Sequence, residues 1–322
     1  MTPIVSVIMP AYNAEAYVAK AIESILLQSL SDWELIIIDD GSTDKTASIL
    51  DGYANKDARI KVIHQINHGV GFSRQLGINK AMGKFCIHVD ADDWVEPDYL
   101  RLLVSKAEAE DADMVWCDAY VNESAVWSMK CKEDSAWMIR EILNRRLWGT
   151  LWNRLFKTSI CQQKDIAFPA CTYWEDVAFV IQCLTKCNKI CHISVPLYHY
   201  RQVETSLLHV AAQKDISKDY RIVADCLDAF MSKNNLIEKF GFELRGLKLY
   251  AIRDFIDDVR FKDYDKFVQT YPDAIEHIWE YKDYPIRLKV CSWLIQHHLR
   301  LFCPFVCKLD ALLRRFGITK QI

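Results

Sequence analysis

Between Lys84 and Trp94 the chain reads KFCIHVDADDW. Apolar Phe85, Cys86, Ile87 and Val89 give way to Asp90, Asp92 and Asp93. Like charges that close repel, and at least one carboxyl resists ionising unless a cation sits among them. Magnesium or manganese suits such a crowd, because either ion takes one or two carboxylates and fills its shell with water and phosphate oxygens. Asp90 and Asp92 alternate along the extended exit of a strand, so one can take a ligand hydroxyl while the other takes the metal. A single aspartate there would more simply end the strand or cap the next helix. The D-x-D-D spacing, beside two further polar clusters, outweighs that reading.

Those clusters follow from the order of elements. Ile4–Met9 alternates like a strand, and Glu34–Asp39 is an apolar run suited to a strand covered on both sides. Ile60–Gln65 and Lys84–Asp90 read as further strands, and Asp113–Val121 as a fifth. Helices fall between them. Asn13 is expected to cap the first, with Glu15 in its first turn. Phe72–Met82 is expected to end at Gly83, and Pro97 to open a helix running to about Glu110. This alternation predicts a doubly wound α/β layer with a largely parallel sheet. Ligands of such sheets bind beyond the carboxyl ends of the strands. Strand one ends at PAYNAE, strand two at DDGSTD and strand four at DADD, so one crevice collects all three.

Several classes are excluded. No glycine follows strand one, so the G-x-G-x-x-G dinucleotide loop is missing, and G-x-x-x-x-G-K-[ST] is absent. Any phosphate must be held by metal and arginine. The net charge of -3 argues against a nucleic-acid partner. The N-terminal MTPIVSVIMPAYNAEAY has no basic region and no long apolar core, so no signal peptide is expected. The 12 cysteines are then expected as reduced thiols in the cytoplasm. Cys183, Cys187 and Cys191 recur beside His192 but lack paired C-x2-C knuckles, and helix packing is the better reading.

The segments VSVIMPAYNAEAYVAKAIESILLQSLSDWELIIIDDGSTDKT and GFSRQLGINKAMGKFCIHVDADD together resemble glycosyltransferase family 2, the inverting enzymes of the GT-A fold. The likeness covers roughly residues 1–207, with a nucleotide-sugar half to about 122 and an acceptor half beyond. It implies a nucleotide-sugar donor, usually UDP-linked, a saccharide or lipid-linked saccharide acceptor, and Mn2+ or Mg2+. It implies that Pro10, Ala11, Tyr12, Asn13 and Glu15 lie against the nucleoside. One of Asp39 and Asp40, with Asp40 favoured, would accept the uracil imide proton. Arg74, in Ser73-Arg74-Gln75 where the family usually has A-R-N, would meet phosphate or nucleoside oxygens; its fixed fork of donors suits that task. Asp92 would hold the metal, Asp90 the metal or the ribose side, and Asp93 the donor sugar.

The family's acidic pair at a helix start matches Glu175-Asp176 in YWEDVAFV. A nucleoside diphosphate leaves without protonation, so one carboxylate base suffices, whereas a glycosidase needs two. Asp176 is the expected base and Glu175 the orienting partner. LYHYRQVETS matches a further family pattern, in which Arg201 and Ser206 would close over the diphosphate and His199 would approach the metal. Trp152–Phe156 resembles a segment flanking the acceptor. The competing readings are a sugar nucleotidyltransferase, disfavoured by PAYNAEAY in place of a glycine-rich loop, and a binding module with a degenerate site.

Residues 208–322 read as a helical extension. From Pro285 to Ile322, Arg287, Lys289, Arg300, Lys308, Arg314, Arg315 and Lys320 face one acid, Asp310. That tail carries about +6 and the remainder about -9. Its mixture of cations with Trp293, Leu299 and Phe302 predicts an amphipathic helix on the inner face of a membrane, divided at Pro304. Packing on the catalytic layer and a contact between copies in a homo-oligomer are the alternatives.

Overall fold

The expected strands form β1 (Val5–Ala11), β2 (Trp33–Asp39), β3 (Ile60–His64) and β4 (Phe85–His88) in a computed structural model that describes residues 2–122, 125–128, 132–202, 216–257 and 262–315. All four run parallel, in the order β3-β2-β1-β4. β2 is buried along its whole length, as its apolar run requires. The register sets Ala11 opposite Asp39 and Asp39 opposite His64. The polar strand ends therefore lie side by side at one edge.

Helices α1 (Val18–Leu26), α2 (Thr46–Ala54) and α3 (Val70–Lys80) connect these strands. α3 lies close on the sheet because Gly77 has no side chain. A Cβ there would sit 2.4 Å from Ile8 Cγ2. Next come β5 (Trp94–Val95), α4 (Tyr99–Ala109), β6 (Met114–Val121), β7 (Ala125–Trp127) and α5 (Ser135–Leu143). β8 (Arg154–Lys157), α6 (Thr158–Cys161), α7 (Glu175–Lys186) and β9 (Ile190–Tyr200) follow. β8 joins antiparallel between β4 and β6, and β9 pairs parallel with β6 and antiparallel with β5. The sheet is thus mainly parallel with antiparallel additions on its second half.

Three local expectations change. Asn13 does not cap α1, which begins at Val18. It adopts φ 47, and its Oδ1 accepts the Thr43 N–H at 2.8 Å. Glu15 likewise accepts the Lys45 N–H at 2.9 Å, outside any helix. Both side chains tie the first strand-end loop to the second, and that competing bond displaces the cap. Gly83 does not close α3, which ends in an extended Ala81. Gly83 instead lets the chain pass β1, where a Cβ would lie 2.6 Å from Ser6 N. Pro97 precedes α4 rather than opening it; Asp98 stands between.

The chain divides into two compact units, Met1–Lys214 and Asp215–Ile322. The second is helical, with helices at Ser217–Lys233, Ile237–Ala251, Asp254–Asp257, Tyr264–Gln269, Pro272–Glu276, Ile286–Gln296 and Cys303–Arg315. Its core gathers Leu227, Met231, Leu244, Phe267 and Leu288, all buried. The break in the basic tail falls at His297–Leu299, and Pro304 sits in the first turn of the last helix, where its missing N–H is harmless. Among the described residues no helix is long and apolar enough to cross a membrane.

Candidate active site

Arg74 is the node of the site. It rises from α3, is buried, and bridges two distant elements. Its Nη2 donates to Asp90 Oδ1 at 2.8 Å, just beyond β4. Its Nη1 donates to Glu175 Oε1, at the first position of α7. Burial works against the Arg74 charge, but Asp90, Glu175 and Asp176 outweigh that and hold its pKa above the usual guanidinium range. Glu175 is buried while Asp176 remains partly open to solvent. Burial raises both carboxyls, Arg74 pulls them back, and the net direction for the pair is upward. Two guanidinium groups act on these acids: Arg74 on all three, and the buried Arg154 on Asp176 as well.

The local backbone explains how α7 presents the pair. Trp174, immediately before the helix, takes φ 63 and ψ 14, a left-handed conformation that costs a tryptophan about 1–3 kcal/mol. The twist starts the helix abruptly and places Glu175 and Asp176 in its first turn, where the helix dipole favours negative charge. Gly71 of α3 leaves the space that Glu175 fills, since a Cβ there would touch Glu175 Cγ at 3.4 Å.

The D-x-D-D stretch divides its labour. Asp93 is buried and fully engaged: it accepts the Tyr198 hydroxyl at 2.7 Å and the Arg201 N–H at 2.7 Å. Asp93 thereby fastens β9 to the strand end. Asp92 instead accepts from its own backbone N–H. Burial and the neighbouring Asp90 push it up to about 6, against weaker pulls from Arg201 and Arg74. Arg201 lies over the rings of Trp94 and Tyr17, 4.8 and 5.0 Å from their centroids, and Lys20 Nζ sits 3.2 Å from the Trp94 centroid.

His199 Nε2 donates to Glu96 Oε1 at 2.7 Å, and its ring is stacked on Trp94 and Tyr120. Among the described residues no three His, Cys, Asp or Glu side chains, His199 and the D-x-D-D aspartates included, are grouped so that they could hold a metal by themselves. The oxygen-only, undercompensated set of Asp92 and Asp90 does fit a hard divalent cation, which takes few protein ligands when phosphates supply the rest. Ser206 lies outside the described residues.

At the neighbouring strand ends the acids are already satisfied. Asp40 accepts from Gln65 Nε2 at 2.7 Å, His68 N at 2.8 Å and Gly69 N at 2.8 Å. Asp39 accepts the Ser42 N–H at 3.1 Å and meets His64 Nδ1 at 2.8 Å. The Ala11 carbonyl accepts the Asp40 N–H at 2.9 Å. Pro10 lies in β1, and Tyr12 projects from the strand end, 52% exposed.

A glycosyl transferase family 2 model matches residues 6–167. The chain belongs to glycosyltransferase family 2. EpsH of Bacillus subtilis, a glycosyltransferase by name, is 31% identical over 255 residues, covering 76% of this chain and 73% of EpsH. The glycosyltransferase GlyG of Streptococcus pneumoniae is 26% identical over 308 residues, covering 90% of this chain and 96% of GlyG. A crystal structure of Staphylococcus aureus TarS residues 1–349 in complex with UDP-GlcNAc superposes with a TM-score of 0.68 at 20% identity, covering 98% of this chain and 93% of that one. The GT-A fold and a glycosyltransferase are thereby shown, rather than a sugar nucleotidyltransferase.

Within this family 2 enzyme, the structure joins Arg74, Asp90, Glu175 and Asp176 in one corner and Asp93 with Arg201 beside it. The sequence reading singled out Trp152 but missed Trp127 and Trp148, which extend it into an aromatic strip. Trp148 is 49% exposed and packs on Trp127 at 4.8 Å, Trp127 on Trp152 at 5.9 Å, and Trp152 stacks on Tyr198 at 4.3 Å. The strip thus runs from solvent to the tyrosine that holds Asp93. Lys20 was missed too, and no spacing in the sequence singles it out.

Proposed function

We propose that this glycosyltransferase moves a sugar from a UDP-sugar to a hydroxyl of a saccharide or lipid-linked saccharide, with inversion, in the synthesis of a surface polysaccharide. The observation that carries the reading is the Glu175–Asp176 pair, held by Arg74 against Asp90, with Asp176 the more open of the two. The UDP-GlcNAc complex of TarS supports a UDP-linked donor.

In this mechanism the acceptor oxygen attacks the anomeric carbon as the bond from that carbon to the diphosphate breaks. Asp176 takes the acceptor proton. Burial raises the basicity of Asp176 towards that task, and Arg74 keeps Glu175 turned away so that the two carboxyls do not exchange roles. Such a positioned base contributes ~10²–10⁴ in rate. Asp92 and Asp90 would hold Mn2+ or Mg2+, which supplies positive charge for the departing diphosphate. Arg201 lies beside them, and Tyr12, with the backbone of Pro10–Asn13, offers a face to the base. Asp39 and Asp40 shape the base pocket through the loops they fix. Trp148 and Trp127 offer apolar faces to an acceptor sugar.

Hydrolysis of a panel of nucleotide sugars with Mn2+ tests the donor class. UDP-sugars should be consumed and GDP- or CMP-sugars spared; turnover confined to a non-uridine donor rejects the reading.

A further inference from the structure

The last helix, Cys303–Arg315, is turned the opposite way from a helix on a water-exposed surface. Its acid, Asp310, is buried and accepts Arg314 Nε at 2.8 Å, and Cys303 is buried as well. The large apolar residues of this helix and of the short turn before it, Arg300–Phe302, point outward. Leu301, Phe302, Phe305, Leu309 and Leu312 are 88, 57, 67, 43 and 50% exposed. With 3.6 residues per turn, Phe305, Leu309 and Leu312 fall on one face. Contiguous apolar surface of this kind marks an interaction site.

The charges beside it select the partner. From Leu299 to Arg315 the only acid is the buried Asp310, against Arg300, Lys308, Arg314 and Arg315. Lys308 and Arg315 are exposed, and Arg300 pairs with Asp265 at 3.0 Å. We propose that this face lies in the surface of an anionic membrane. Phe305, Leu309 and Leu312 enter the boundary between headgroups and acyl chains, while Lys308 and Arg315 meet lipid phosphates. The helix has 13 residues, too few to span, so it lies in the plane. A second copy of the chain fits less well, because pairing this face with itself would bring Lys308 and Arg315 against their own kind.

The test is co-sedimentation of the full chain with vesicles of phosphatidylcholine, with and without phosphatidylserine. Binding should be at least ~10-fold tighter with phosphatidylserine present. The double variant Phe305→Asp, Leu309→Asp should lose ~10-fold or more on the anionic vesicles. Lys308→Glu with Arg315→Glu should lose the preference for phosphatidylserine. Both variants should keep the wild-type melting temperature and nucleotide-sugar hydrolysis, which separates this face from the catalytic reading. Absent vesicle binding, or equal binding by the Phe305→Asp, Leu309→Asp variant, overturns the proposal. So does a dimer in solution that this variant abolishes while vesicles remain unbound, which would give the face to a second copy.

Discussion

Two groups of acids lie at the ends of β2 and β4, the strands that flank β1, and they are in opposite electrostatic states. Asp39 and Asp40 follow β2, and each of their four oxygens has a partner, from Ser42, His64, Gln65, His68 and Gly69. Asp90, Asp92 and the Glu175–Asp176 pair follow β4 and open α7; Arg74, Arg201 and, for Asp176, Arg154 are the cations that act on them, and the net direction for Asp92, Glu175 and Asp176 is still upward. Acids satisfied by local donors build the loops. Acids left short of positive charge are the ones a cationic or proton-bearing ligand would complete.

The sharpest way to break this contrast is Asp176→Asn. Turnover should fall by ~10²–10⁴ with donor affinity unchanged, measured by transfer kinetics beside calorimetric donor binding. Unchanged turnover removes Asp176 as the base. Next in size is Arg74→Met, which leaves buried carboxylates without their cation. Chemical denaturation should show a loss of about 3–5 kcal/mol, as for other broken buried pairs; a loss under 1 kcal/mol, on the order of a surface pair, would deny Arg74 its place as the node. Asp40→Ala should cost about 1–3 kcal/mol by orphaning the loop N–H groups. Asp92→Asn should leave stability unchanged or raised, since it removes repulsion. If Asp92→Asn destabilises as much as Asp40→Ala, the two groups do not differ.

The smallest effect is a pH dependence away from the site. Burial raises Glu34, but Lys61, Ser6 and the Met82 N–H outweigh it and hold its carboxyl below the ordinary 4.5. A carboxyl with a lowered folded pKa adds stability above its unfolded value and loses it as pH falls through the folded one. Melting temperatures of Glu34→Gln should therefore match a flatter acid limb, with the difference from wild type shrinking below pH ~4. A difference that grows on acidification contradicts the assignment.

Much of this was legible before the structure. The apolar runs of β1 to β4 and the polar residues at their ends follow from periodicity, and the D-x-D-D and Glu175-Asp176 motifs are local in sequence. What escaped depends on distant pairings. Asn13 and Glu15 look like helix-start residues until the loop at Thr43–Lys45 competes for them. The pairing of Arg74 with Glu175 spans 101 residues and has no local signal. The bonds that Asp93 accepts from Tyr198 and the Arg201 N–H depend on β9 and span 105 and 108 residues. Trp127 and Trp148 carry no helical or strand period that would separate a sugar platform from core.

The most direct measurement is UDP binding by calorimetry with and without Mn2+, in the wild type and in Asp92→Asn. Undercompensated acids completed by a divalent ion and a diphosphate require that Mn2+ tighten UDP binding at least ~10-fold in the wild type, and that Asp92→Asn erase the gain. Equal UDP affinity with and without Mn2+, or an undiminished gain in Asp92→Asn, would contradict it.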